Sequence, residues 1–124
     1  MIQKQKEENQ EILEQSISHL KFSGFENIKA DMPNYETPKT FKSQRSGLEI
    51  TPDLSATKNG RKYFFDISLK SEKPEILKSK WLLLDTFSRL KSNRFKIITT
   101  RGHFKFTEDL LKEINLSQKE FIRI

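Results

Sequence analysis

A mixed α/β (α+β) domain, with a central sheet flanked by helices, is what this sequence predicts on three observations. Between Gly47 and Lys70, two runs of alternating apolar and polar residues flank Asn59-Gly60, the dipeptide best suited to the positive φ angles of a type I′ turn. Stretches with apolar residues at helical spacing lie on both sides of this hairpin. A β-branched run, Phe95 to Thr100 (FKIITT), stands between two such stretches. At 124 residues with ten phenylalanines, the chain suits a single domain, 1–124, around one core.

In order, residues 4–22 read as a helix with Ile12, Leu13, Ile17 and Leu20 on one stripe, ended by Gly24. Phe25 to Ala30 is a short strand. Asp31 to Ser46 is irregular, since Pro33, Asn34 and Pro38 oppose regular structure. The hairpin follows. Pro74 and Glu75 then open a helix in positions where both are favoured, and Leu77, Trp81, Leu84, Phe87 and Leu90 give its core stripe to about Ser92. After the FKIITT strand, Arg101-Gly102 breaks the chain and Thr107 is placed to cap a helix holding Leu110, Leu111 and Ile114. Ser117 and Glu120 have capping-box spacing, which suggests a further turn before the final FIRI. The predicted order is helix, strand, strand, strand, helix, strand, helix.

The turn fixes a register in the hairpin. With Lys58 opposite Arg61, Asp53 falls opposite Asp66, Thr51 opposite Ser68 and Glu49 opposite Lys70, all on one face. The other face pairs Ile50 with Leu69, Pro52 with Ile67, Leu54 with Phe65 and Ala56 with Tyr63, so it is read as core and the first as polar. Two carboxylates directly opposite, with Cβ atoms about 5 Å apart, repel unless a proton or cation sits between them. The plain alternative is a solvated strand face with an ordinary Glu49–Lys70 ion pair.

The net charge of +6 is unevenly spread: residues 1–38 carry 4 basic and 7 acidic groups, residues 39–105 carry 16 and 6, and residues 106–124 carry 3 and 4. A central block of +10 around an acidic pair predicts a polyanionic partner, nucleic acid, with a cation at its centre. Lys39, Lys42 and Arg45 around Phe41, with Lys78 and Lys80 early in the second helix, are the candidate phosphate contacts. No cysteine means no disulfide, thiolate zinc site or cysteine nucleophile. No run approaches a membrane span and MIQKQKEENQ has no signal-peptide core, so no membrane partner and an intracellular, cytoplasmic setting are expected. His103 and Ser68 are weak candidates for chemistry, the first lone beside a break and the second without a base partner.

Pro52-Asp53, a second acid at Asp66 on the next strand and Lys70 beyond it, with helices on either side, resemble the PD-(D/E)xK nuclease superfamily, most closely its small Holliday-junction-resolvase-like members. The resemblance covers nearly the whole chain. It implies a restriction-endonuclease-like core, a metal-dependent endonuclease acting on DNA, and a homodimer. It also implies Mg2+ or Mn2+ held by Asp53 and Asp66 with a helix glutamate, Glu14 or alternatively Glu11. Lys70, or Lys78 or Lys80, would serve the attacking water or the phosphate. A strict acid-x-lysine would place the lysine where Ser68 stands. Lys70 lies roughly 7 Å further along the strand, and the alternative alignment on Ser68-Leu69-Lys70 keeps the lysine but loses the acid. The alternative function is a catalytically inactive member of the same fold that binds nucleic acid or protein.

Overall fold

A computed structural model describes all 124 residues. The N-terminal segment forms two helices, α1 (Gln3–Glu8) and α2 (Gln10–Phe22), where the sequence predicted one. Asn9 makes the break: its backbone is non-helical, at φ −127° and ψ 41°, and its side-chain amide donates to the Gln5 carbonyl at 2.8 Å. A short amide that competes for backbone partners is what ends a helix here. As a result α1 turns back and carries Met1 to the sheet.

Gly24, at φ +89°, releases α2 into β1 (Glu26–Ala30). The irregular stretch contains β2 (Phe41–Lys42), which pairs with β3 (Glu49–Ile50) in a two-stranded sheet of its own. The hairpin proper is β4 (Leu54–Lys58) and β5 (Arg61–Ser68). Its register is the expected one, with Lys58 opposite Arg61, Ala56 opposite Tyr63 and Leu54 opposite Phe65, and Asn59 and Gly60 both take positive φ. The expected pairs upstream of Asp53 do not form. Pro52 has no N–H to give a ladder, so the chain leaves β5 there, and Glu49 lies opposite Lys42 instead of Lys70.

Helix α3 (Pro74–Leu90) leads to β6 (Arg94–Thr99), and α4 (Phe104–Glu113) leads to β7 (Phe121–Arg123). Thr107 does not cap α4: His103 is the N-cap, and the buried Thr107 hydroxyl bonds its carbonyl at 2.8 Å within the first turn. FIRI, expected only as a tail, pairs parallel to β6, with Ile98 opposite Ile122. The main sheet is five-stranded and mixed, in the order β1-β4-β5-β6-β7. The pairs β1–β4 and β4–β5 are antiparallel, while β6 is parallel to β5 and β7 to β6.

Both faces of this sheet are covered. On one, Leu13, Ile17 and Leu20 of α2 pack on Leu54, Ala56, Phe65 and Ile67. On the other, Leu77, Trp81 and Leu84 of α3 and Leu110 and Leu111 of α4 pack on Phe64, Phe95 and Ile97. The face read as polar is therefore interior. The α3 stripe has to bury itself somewhere, and Phe64, on the same face as Asp66 and Ser68, supplies the apolar contact. Asp53, Ser55, Asp66 and Ser68 are buried beneath it.

Candidate functional site

Asp53 follows Pro52 where the chain enters β4, and Asp66 lies near the C-terminal end of β5; both are fully buried. The expected proximity is real, and four groups explain how it is tolerated. The Met1 amino group donates to Asp53 Oδ2 at 2.6 Å, to Asp66 Oδ2 at 3.1 Å and to the Ile67 carbonyl at 2.8 Å. Lys80 Nζ lies 2.8 Å from Asp66 Oδ1 and 3.4 Å from Asp53 Oδ1, and also donates to the Met1 carbonyl at 2.9 Å. Lys6 Nζ lies 3.3 Å from Asp53 Oδ1 and pairs with Asp31. The indole N–H of Trp81 donates to Asp66 Oδ2 at 2.8 Å.

Backbone N–H groups complete the shell, Ile67 donating to Asp53 Oδ2 at 2.7 Å and Asp53 to Asp66 Oδ1 at 3.2 Å. Three cations, Met1, Lys6 and Lys80, thus meet three carboxylates, Asp31, Asp53 and Asp66, and the cluster is neutral as a whole. Burial by itself would raise the Asp53 carboxyl, but Lys80, the Met1 amine and Lys6 outweigh it and hold that carboxyl well below the usual range. Burial acts against the Lys80 ammonium too, and Asp53 and Asp66 overcome it and push Lys80 upward. For the Met1 amine desolvation outweighs both carboxylates and lowers its pKa, but its three acceptors, Asp53, Asp66 and the Ile67 carbonyl, match the three N–H groups of the charged form.

This donor set does not fit a magnesium or manganese ion as arranged. Each of the four carboxylate oxygens already faces a cation or an N–H. No group of three or more histidine, aspartate or glutamate side chains converges to make a shell, whereas hard divalent cations need several free oxygens. A cavity of about 760 Å³ opens beside the cluster between α1, β3 and α3, with Met1, Lys6 and Lys80 in its wall.

The remaining candidates are dispersed. Glu14 and Glu11 are exposed on α2, on the opposite side of the sheet from the aspartate side chains, and neither makes an ion pair. Lys70 is exposed past the end of β5 with no ion pair, and its backbone N–H donates to His103 Nδ1 at 2.8 Å. His103 is thereby held as an acceptor, and partial burial together with Lys70 lowers its pKa. Ser68 is a buried spacer, 2.7 Å from the Thr107 hydroxyl. Lys78 is held by Glu113 at 2.6 Å and Glu75 at 3.0 Å, whose hydrogen bonds raise its pKa.

Lys39, Lys42 and Arg45 are exposed and make no ion pair. Lys39 lies over the Phe41 ring, and Lys62 over the Phe64 ring that Phe41 meets edge-on. The neighbouring Lys91 amine, with a smaller contribution from Lys62, lowers the Lys39 pKa.

Sequence reading missed Met1, Lys6, Asp31 and Trp81 as partners of the acid pair. Only Trp81 carried a usable signal: an indole in a core stripe needs an acceptor for its N–H, and its neighbour Lys80 points to the same place. The others arrive through the break at Asn9 and the β1 end, which no local pattern encodes. No protein-family model matches the chain, no curated protein matches it, and no solved structure matches it.

Proposed function

We propose that this chain is a nucleic-acid-binding domain of restriction-endonuclease-like design, a PD-(D/E)xK relative in which the acid pair is a structural clasp and not a metal-dependent hydrolase. The observation that carries the reading is the closure of that pair. All four oxygens of Asp53 and Asp66 are occupied by protein cations and N–H groups, and the strand position where the superfamily keeps its lysine holds the buried Ser68. The run α2, antiparallel β1-β4-β5, α3 and parallel β6 supports the fold assignment.

Binding is assigned to the exposed cations away from the clasp. Lys39 and Lys62 stand over the adjoining Phe41 and Phe64 rings, so this surface presents closely spaced cations of the kind that contact phosphates. Lys42 and Arg45 extend this surface, whereas Lys78 and Lys80 are consumed by internal pairs.

A filter-binding titration against duplex and branched DNA, beside a cleavage assay in magnesium or manganese, tests the proposal. The expected result is a complex whose affinity falls steeply between low and physiological salt as counterions are displaced, with the DNA left intact. Cleavage that requires the metal and disappears in Asp53→Asn would establish the hydrolase instead. Absence of any complex at low salt would remove nucleic acid altogether.

A further inference from the structure

The C-terminal end of α3 and the first residues of β5 and β6 surround a second cavity, of about 650 Å³. It sits at the opposite end of β5 from the acid pair, Arg61 and Asp66 being roughly 17 Å apart along the strand. Phe95 is its one hydrophobic lining residue, and charged and hydroxyl groups supply most of the rest. A volume in this range accommodates a small ligand, and such a lining selects a charged one.

The sign of that charge follows from the pairing. Asp85, in the wall, is already neutralised by Arg89 at 3.0 Å and by Lys119 at 3.1 Å. Arg61, Arg94 and Lys96 remain without an ion pair, against the single unpaired carboxylate of Glu120. Because Asp85 is shared by two cations, the lining as a whole, five cations against two carboxylates, carries a net charge of +3. The negative end of the α3 dipole is also screened from the cavity. The Ser88 and Arg89 carbonyls receive N–H groups from Lys91, Ser92 and Asn93.

An independent observation marks the site as built for a ligand. Ser88 is 1 % exposed, lines the cavity, and carries the one buried side-chain polar atom in the molecule with no hydrogen-bond partner. A helical serine ordinarily bonds back to the preceding turn, and an orphaned buried hydroxyl calls for a partner. We propose that this cavity binds a phosphate monoester dianion, with Arg61 and Arg94 neutralising its charge and the Ser88 hydroxyl donating to one of its oxygens. Guanidinium groups suit phosphate geometry, and a dianion offsets most of the +3 excess. The same chemistry is offered by a phosphorylated strand end and by a free nucleotide. The site does not depend on whether the acid pair is a clasp or a metal centre.

The test is amide NMR of the full chain at constant ionic strength, titrated with inorganic phosphate and then with adenosine monophosphate. In parallel, a 5′-phosphorylated oligonucleotide is compared with its 5′-hydroxyl counterpart. Saturable shifts at Ser88, Asn93 and Phe95 are expected. Ser88→Ala should weaken phosphate binding roughly tenfold, the loss of one hydrogen bond to a charged group, while the unliganded protein keeps or gains stability. Arg94→Gln, at an exposed position, should weaken it by a similar factor. Preference for the phosphorylated strand end that Arg94→Gln abolishes assigns the ligand to nucleic acid; saturation by adenosine monophosphate without that preference assigns it to a free nucleotide. Unmoved resonances in inorganic phosphate, or wild-type affinity in both variants, would overturn the site.

Discussion

Removing the Lys80 ammonium is the sharpest test of the clasp. In Lys80→Met the aliphatic stem is kept and the charge is lost, so the buried cluster changes from three cations against three carboxylates to two against three. Asp66 Oδ1 then loses its 2.8 Å partner and Asp53 Oδ1 loses one of its two. Stripping one member from a buried ion pair costs about 3–5 kcal/mol, because the charge left behind stays desolvated. For a domain of 124 residues, at about 2.1 cal/mol/K of unfolding entropy per residue, that is a fall of roughly 10–20 °C in Tm. Asp66→Asn alone should also destabilise. Combined with Lys80→Met it restores two cations against two carboxylates, and its amide oxygen still accepts from Trp81. The double variant should therefore be more stable than the sum of the single losses by roughly 1–3 kcal/mol. Urea denaturation of the four proteins, read through a double-mutant cycle, measures this. Additivity within about 0.5 kcal/mol would show that Lys80 and Asp66 do not share a desolvated site, and the clasp would be refuted.

The same cluster sets the pH limits of stability. The folded pKa of Asp53 lies below its unfolded value of about 3.9, so its contribution is fully present above about pH 4 and is lost as pH falls through the folded value. For Lys80 the folded pKa lies above the unfolded value of about 10.4; its contribution is fully present below that pH and is lost as pH rises through the folded value. Urea midpoints of wild type should decline at both extremes, and Asp53→Asn, already destabilised, should decline less in acid; an equal acid decline would contradict the assignment. Trp81→Phe leaves Asp66 Oδ2 one donor short and should cost about 1–3 kcal/mol, whereas Glu14→Gln, on an exposed helix face away from the acids, should stay within about 0.5 kcal/mol of wild type. Thermal melts of both variants check the contrast, which would reverse if Glu14 completed the acidic site.

What the sequence determined was what local stereochemistry can encode. Asn59-Gly60 accepts positive φ at both turn positions, and that alone fixed the β4–β5 register and hence the meeting of Asp53 with Asp66. Pro74 and the Leu77–Trp81–Leu84 stripe likewise announced α3 and its buried face. Tertiary structure decided the meaning of these features. Whether the strand face bearing the aspartates met water or a helix depended on where α3 docked, and that docking turned Lys80 inward from a presumed phosphate contact to the counter-ion of the acid pair. Likewise Met1, Lys6 and Asp31 reach the aspartates from segments distant in sequence, brought in by a single non-helical residue, Asn9, and by the end of β1. FIRI had a strand's composition but became one only because α4 returns the chain beside β6. Period and turn chemistry act over a few residues and are written in the chain. The charge balance of a buried site is a sum over groups far apart in sequence, and only their packing in three dimensions sets it.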